Sequence, residues 1–187
     1  MAHSRGLEET ASVFGIKLEP IQLIELQSTL DRELESIKCF DDALPAIERL
    51  QEHGIKVGVC SNLAGPYCSR VRCLLPGLDA YALSAETGVL KPDPEMYGSV
   101  CAMLDTYPGQ VLGSETAQVL MIGDFKRCDE LGPRSFGIVG HHLDRNGGGG
   151  LPESDRVHQR HYSCQPVNPI GSTQGHAGIV KVLWHQT

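Results

Sequence analysis

Five side chains able to do chemistry sit just beyond apolar segments: Ser61, Asn62, Lys91, Asp124 and Asp129. Leu120-Met121-Ile122 reads as a strand entering a glycine turn at Gly123. Asp124 and Asp129 would then arrive at the carboxyl edge of a sheet, where open α/β folds hold their ligands. Two carboxylates there suit a hard cation such as Mg2+, which is bound by few carboxylates together with water and substrate phosphate. They equally suit an ordinary helix start, with Asp124 as the cap and Asp129 on an exposed face.

Ile55 to Cys60 reads as a second strand, followed at once by Ser61-Asn62. A hydroxyl and fresh backbone N–H groups would point into the same crevice, although Ser-Asn after a strand is also a plain turn. Lys91 stands in Gly88-Val89-Leu90-Lys91-Pro92-Asp93-Pro94, where two prolines restrict the backbone. An ammonium so placed attracts a phosphoryl group by roughly 4 kcal/mol at about 4 Å under an effective dielectric of about 20, before desolvation is subtracted. A solvated lysine in a rigid loop before a helix is the structural alternative.

The elements that must position these groups follow from periodicity. Residues 6–38 read as two helices: Leu7, Ala11 and Phe14 share one face, and Leu23, Leu26, Leu30, Leu34 and Ile37 form a second stripe after Pro20. A helix from Asp41 and Asp42 carries Leu44, Ile47 and Leu50 inward and stops at Gly54. Pro66 to Leu75 is a further helix, Tyr81 to Ser84 a strand, and a helix from Pro94 bears Met96, Tyr97, Val100, Cys101 and Leu104. Val119 to Ile122 and Phe136 to Val139 complete the strands. Such alternation implies a parallel sheet with helices on both faces. After Gly147-Gly148-Gly149-Gly150, residues 151–187 have few periodic apolar positions before Ile179. The division is residues 1–38 as leading helices, 39–146 as an α/β core, and 147–187 as a glycine-rich linker with a poorly ordered tail.

The chain has 187 residues and a net charge of -7. That length suits one domain with a core, and the acidity without an extended run of Lys or Arg argues against nucleic acid. No apolar run is long enough to span a bilayer and the first residues lack the apolar core of a signal peptide, so a cytoplasmic location is expected. The 7 cysteines lack paired CxxC spacing and read as buried or inert thiols of a reducing compartment.

Taken together, Ser61-Asn62, Lys91-Pro92-Asp93-Pro94-Glu95-Met96-Tyr97 and Gly123-Asp124 with Asp129 resemble motifs two, three and four of the haloacid dehalogenase (HAD) superfamily. The resemblance covers residues from about 41 to 146, and the preceding helices resemble part of that superfamily's helical cap. It implies an α/β, Rossmann-like parallel sheet, incomplete here, with a partial cap. It also implies hydrolase chemistry, most often that of a Mg2+-dependent phosphatase of small phosphorylated metabolites, with dehalogenases and phosphomutases as the minority. Ser61 would hydrogen-bond the transferring phosphoryl group with the Asn62 amide assisting, and Lys91 would neutralise its charge. Asp124 would bind Mg2+ with Asp129 in support.

Members of that superfamily begin with a strand ending in DxDx(T/V), whose first aspartate is the nucleophile, and no such signature occurs in this sequence. Without it covalent phosphoryl transfer has no acceptor, and negligible turnover is expected. The central strand that carries it is missing too, leaving two neighbouring edges to be filled. Val180-Lys181-Val182-Leu183-Trp184 is one candidate filler. Phe125 departs from the small residue the superfamily favours after its Gly-Asp pair. His158, His161 and Cys164 read as surface residues of the tail rather than as metal ligands. Two further readings stand beside the hydrolase: a non-catalytic phosphate-binding or interaction protein, and a truncated gene product without independent function.

Overall fold

The computed structural model describes residues 5–108 and 119–145, and the backbone of two short strands within 177–185. Helices α1 (Leu7–Val13) and α2 (Pro20–Ser36) lead into β1 (Lys38–Cys39) and α3 (Ala43–Glu52). Then follow β2 (Lys56–Ser61), α4 (Gly65–Leu74), β3 (Ala80–Leu83), α5 (Ser84–Thr87) and α6 (Pro94–Met103). Past residue 118 come β4 (Val119–Gly123), a π-helical turn over Lys126–Leu131, α7 (Gly132–Ser135) and β5 (Val139–His142). The last two strands are β6 (Ala177–Val180) and β7 (Trp184–His185).

Five strands form one sheet in the order β3-β2-β6-β4-β5, and every pairing within it is parallel. Strand alternation along β2 sends Val57 and Val59 to one face and Cys60 to the other. The first face packs Ile47, Cys68, Val71 and Leu75 from α3, α4 and the residue that follows α4. The second packs Met96, Tyr97, Val100 and Cys101 of α6 with Val119, Met121 and Ile138. Helices on both faces are what a parallel sheet requires, because its strands are buried on both sides. Gly58 is small for a reason: a Cβ there would lie 2.9 Å from Cβ of Ala80.

The expected α/β sheet is therefore present, with three local corrections. The gap between β2 and β4 is filled by Ala177–Val180, upstream of the expected Val180–Trp184 and inside the stretch read as a poorly ordered tail. A central strand disfavours a charged residue in its interior, and the described pairings run over Ala177–Val180. The last expected strand begins later, at Val139 rather than Phe136, because Phe136 caps α7 and Gly137 follows it in the left-handed region at φ 87°. Asp42 stands at the start of α3 without capping it; its carboxylate instead accepts from Arg145 at 3.0 Å.

The apolar stripe on the leading helices buries less than its periodicity suggests. Neither α1 nor α2 contains a buried residue, whereas Ile37, just past α2, is 2 % exposed. What holds α2 is polar: Tyr67 on α4 donates to Glu33 at 2.6 Å, and Arg70 donates to the Ile37 carbonyl at 2.8 Å.

Cys60, Cys68, Cys101 and Cys128 are buried, Cys39 is partly so, and Cys73 is exposed; all six are free thiols. Burial pushes the Cys60 thiol up to about 12 against the opposing pull of Lys91. Cys164, His158 and His161 lie outside the described residues. Alkylation of the native protein at mildly basic pH, followed by peptide mapping, is expected to modify Cys73 rapidly while Cys60 and Cys101 react only after unfolding. Equal labelling of Cys60 and Cys73 would contradict the buried placement.

Candidate phosphate-binding site

The candidate site lies at the carboxyl edge of the sheet, where β2 and β4 end on either side of β6. Ser61 is the last residue of β2 and is 2 % exposed. The chain then turns at Asn62-Leu63, and the turn is tied to α5 by Ser84. The Leu63 N–H donates to Ser84 Oγ at 2.8 Å, and that hydroxyl donates to the Leu63 carbonyl at 3.0 Å.

Asn62 does something the sequence did not announce. Its side chain grips the backbone of Lys91: Oδ1 accepts from the Lys91 N–H at 2.7 Å, and Nδ2 donates to the Lys91 carbonyl at 2.9 Å. Turn residues after a strand carry no signal of a partner far along the chain, so only the fold brings the two motifs together. The Lys91–Pro92 peptide bond is cis. Asp93 then caps α6, accepting from the Glu95 N–H at 3.0 Å, with Pro94 in the first turn.

Lys91 itself is directed inward. Its Nζ is 2.5 Å from Oδ1 of Asp129, with the lysine 5 % exposed and the aspartate fully buried. Asp129 Oδ2 accepts from the Phe125 N–H at 2.9 Å. One carboxylate thus neutralises the lysine and closes the turn after β4. Gly123 makes room for it: a Cβ there would lie 2.5 Å from Asp129 Cγ. Tyr97 Oη donates to the Cys128 carbonyl at 2.7 Å, fixing the turn against α6, and burial pushes that phenol upward.

Asp124 is exposed at the same edge. His142, which no sequence motif marks, donates from Nε2 to the Asp124 carbonyl at 2.9 Å, and the Leu143 N–H donates to the Gly123 carbonyl at 2.7 Å. The plain alternative does not describe Asp129, which is buried rather than on an exposed face, and the N-cap position of the π-helical turn is Phe125 rather than Asp124. Among the described residues no group of three or more His, Cys, Asp and Glu side chains gathers as a metal cluster. A cation at this edge would meet Asp124 as its protein carboxylate, while Asp129 serves Lys91 and the turn. That donor set fits Mg2+ only in the manner of a cation that keeps most of its water and shares a substrate phosphate.

A buried ammonium, a strand-end hydroxyl and an exposed carboxylate stand at one edge of the parallel α/β sheet. Haloacid dehalogenase-like hydrolases match residues 7–137, and the chain belongs to that family. It is 31 % identical over 112 residues to "Phosphatase MT3486" of Mycobacterium tuberculosis (strain CDC 1551 / Oshkosh), a match covering 58 % of this chain and 48 % of that protein. Its fold is similar to that of a HAD phosphatase from Thermococcus onnurineus, with a TM-score of 0.58 at 18 % identity over 94 % of this chain and 66 % of the other. The chain therefore spans about half the length of the curated relative it matches. Among the described residues no helix is long and apolar enough to cross a membrane.

Proposed function

We propose that this chain binds the phosphate group of a small phosphorylated metabolite through Ser61, Asn62 and Lys91, in a fold derived from a Mg2+-dependent phosphatase, and that it turns such esters over negligibly. The observation that carries the reading is the buried Lys91–Asp129 pair, 2.5 Å apart, at the edge where β2 and β4 end. In sequence β6 is followed by Lys181-Val182-Leu183-Trp184-His185, with no Asp or Glu side chain among them. Ser61 offers a hydroxyl to a phosphoryl oxygen and the Asn62 backbone a second donor. Lys91 has three N–H groups, so its bond to Asp129 leaves others for phosphate oxygens.

Mg2+, when bound, supplies neutralisation of phosphate charge, and Asp124 is the residue that would hold it. Asp129 acts through Lys91, keeping the ammonium in place. Without a covalent acceptor, such a pocket contributes electrostatic stabilisation alone. A cytoplasmic setting agrees with the free thiols.

Calorimetric titration of the full chain with inorganic phosphate, with and without Mg2+, tests binding separately from turnover. Saturable heat that is lost in Ser61→Ala is expected. No heat in either titration would remove the proposal.

A further inference from the structure

The sheet is assembled from two pairs of strands, β3-β2 and β4-β5, that meet only through β6 among the described residues. β2 pairs with it over Lys56–Gly58 and β4 over Val119–Ile122. Neighbouring strands lie about 4.8 Å apart, so without β6 the two inner edges would face each other across a groove about 10 Å wide. Both walls would present rows of unpaired backbone N–H and C=O groups, which an extended segment satisfies and a side chain does not. The walls are already rigid parts of the core: Val57, Val59 and Met121 are 0 % exposed and Val119 is 4 % exposed.

The segment that fills this groove is weakly committed to it by its own chemistry. β6 has four residues, and Gly178 in its interior has no side chain to pack. Residues 146–176 lie between it and the end of the preceding described stretch. A short strand held between two preformed partner edges is the kind of element that identical copies exchange.

We infer that the groove between β2 and β4 is a strand-acceptor surface, filled by Ala177–Val180 of the same chain and able to take the same segment, in the same parallel register, from a second copy. The sequence of the occupant is the sequence that already matches both edges, and that match selects a second copy over an unrelated peptide. The phosphate pocket rests on the same groove, because Ser61 and Asp124 stand at the ends of its opposite walls.

The test uses full-length Gly178→Pro, since proline in a central strand removes a ladder donor and clashes with its neighbours. Hydrogen exchange is read at the amides of residues 57–59 and 120–122, a measurement that involves no phosphate and so stands apart from the proposed function. These amides are expected to lose protection in the variant and to regain it, saturably, on addition of a synthetic peptide spanning residues 175–187, but not of its scrambled version. A variant that unfolds outright is expected to be rescued by the same peptide. In the wild type, a dimer fraction that grows with concentration and disappears in Gly178→Pro is expected by light scattering. Unchanged protection in Gly178→Pro, no rescue by the peptide, or a wild type that is monomeric at every concentration would overturn the inference.

Discussion

Replacing Lys91 by methionine is expected to destabilise the fold by about 3–5 kcal/mol, because it leaves the Asp129 carboxylate buried without its counter-ion. Lys91 is 5 % exposed and Asp129 0 %, so neither charge has water to fall back on. At roughly 2–4 °C per kcal/mol for a chain of this size, the melting midpoint should drop by about 10 °C. Methionine fills the volume of the lysine stem, so lost packing contributes little. The discriminating step is the double variant Lys91→Met with Asp129→Leu. Removing both charges together should recover much of the loss, because a buried pair is weak as a source of stability but costly to break. If Lys91→Met melted within a degree or two of wild type, the pair would not be buried as described.

Gly123→Ala is expected to cost about 1–3 kcal/mol, the usual range for overpacking a filled interior, despite adding one methyl group. The added carbon would lie 2.5 Å from Asp129 Cγ and 2.7 Å from its Cβ. Asp129 cannot swing aside freely, since one oxygen holds Lys91 and the other the Phe125 amide. The substitution therefore strains the same network that Lys91→Met breaks, and combining the two should give less than the sum of their effects. Denaturant midpoints of the two single variants and the double variant measure this coupling. Strict additivity would mean that Gly123 does not act through Asp129.

How much of this was legible beforehand differs between elements and site. Val119 to Ile122, with its run of apolar residues, and the helix from Pro94, with Met96, Tyr97, Val100 and Cys101 turned inward, could be read because burial imposes a period on the sequence. The strand that completes the sheet could not be placed with the same accuracy, since four residues containing Ala177 and Gly178 carry almost no pattern. Its position is set by two neighbours distant in sequence. The leading helices show the converse: their apolar stripe is clear, yet α2 buries none of its residues and is held instead by Tyr67 and Arg70.

At the site, residue types were readable and their partners were not. Lys91 and Asp129 both stood out, one from its proline-bounded loop and the other from its strand-end turn, but nothing local says that one neutralises the other. The grip of Asn62 on the Lys91 backbone and the bond from His142 to the Asp124 carbonyl join segments that only the tertiary structure brings together. Asp129, read as support for a metal, thereby acquires a second use as the counter-ion of a buried lysine.

We propose for this chain phosphate recognition without phosphoryl transfer. It is tested most directly by incubating the full chain with a generic aryl phosphomonoester and Mg2+ and following phosphate release. No release above that of a Ser61→Ala, Asp124→Ala double variant is expected. Turnover at about 1 per second or faster, the lower end of ordinary enzymatic rates, abolished by Asp124→Ala alone, would contradict it.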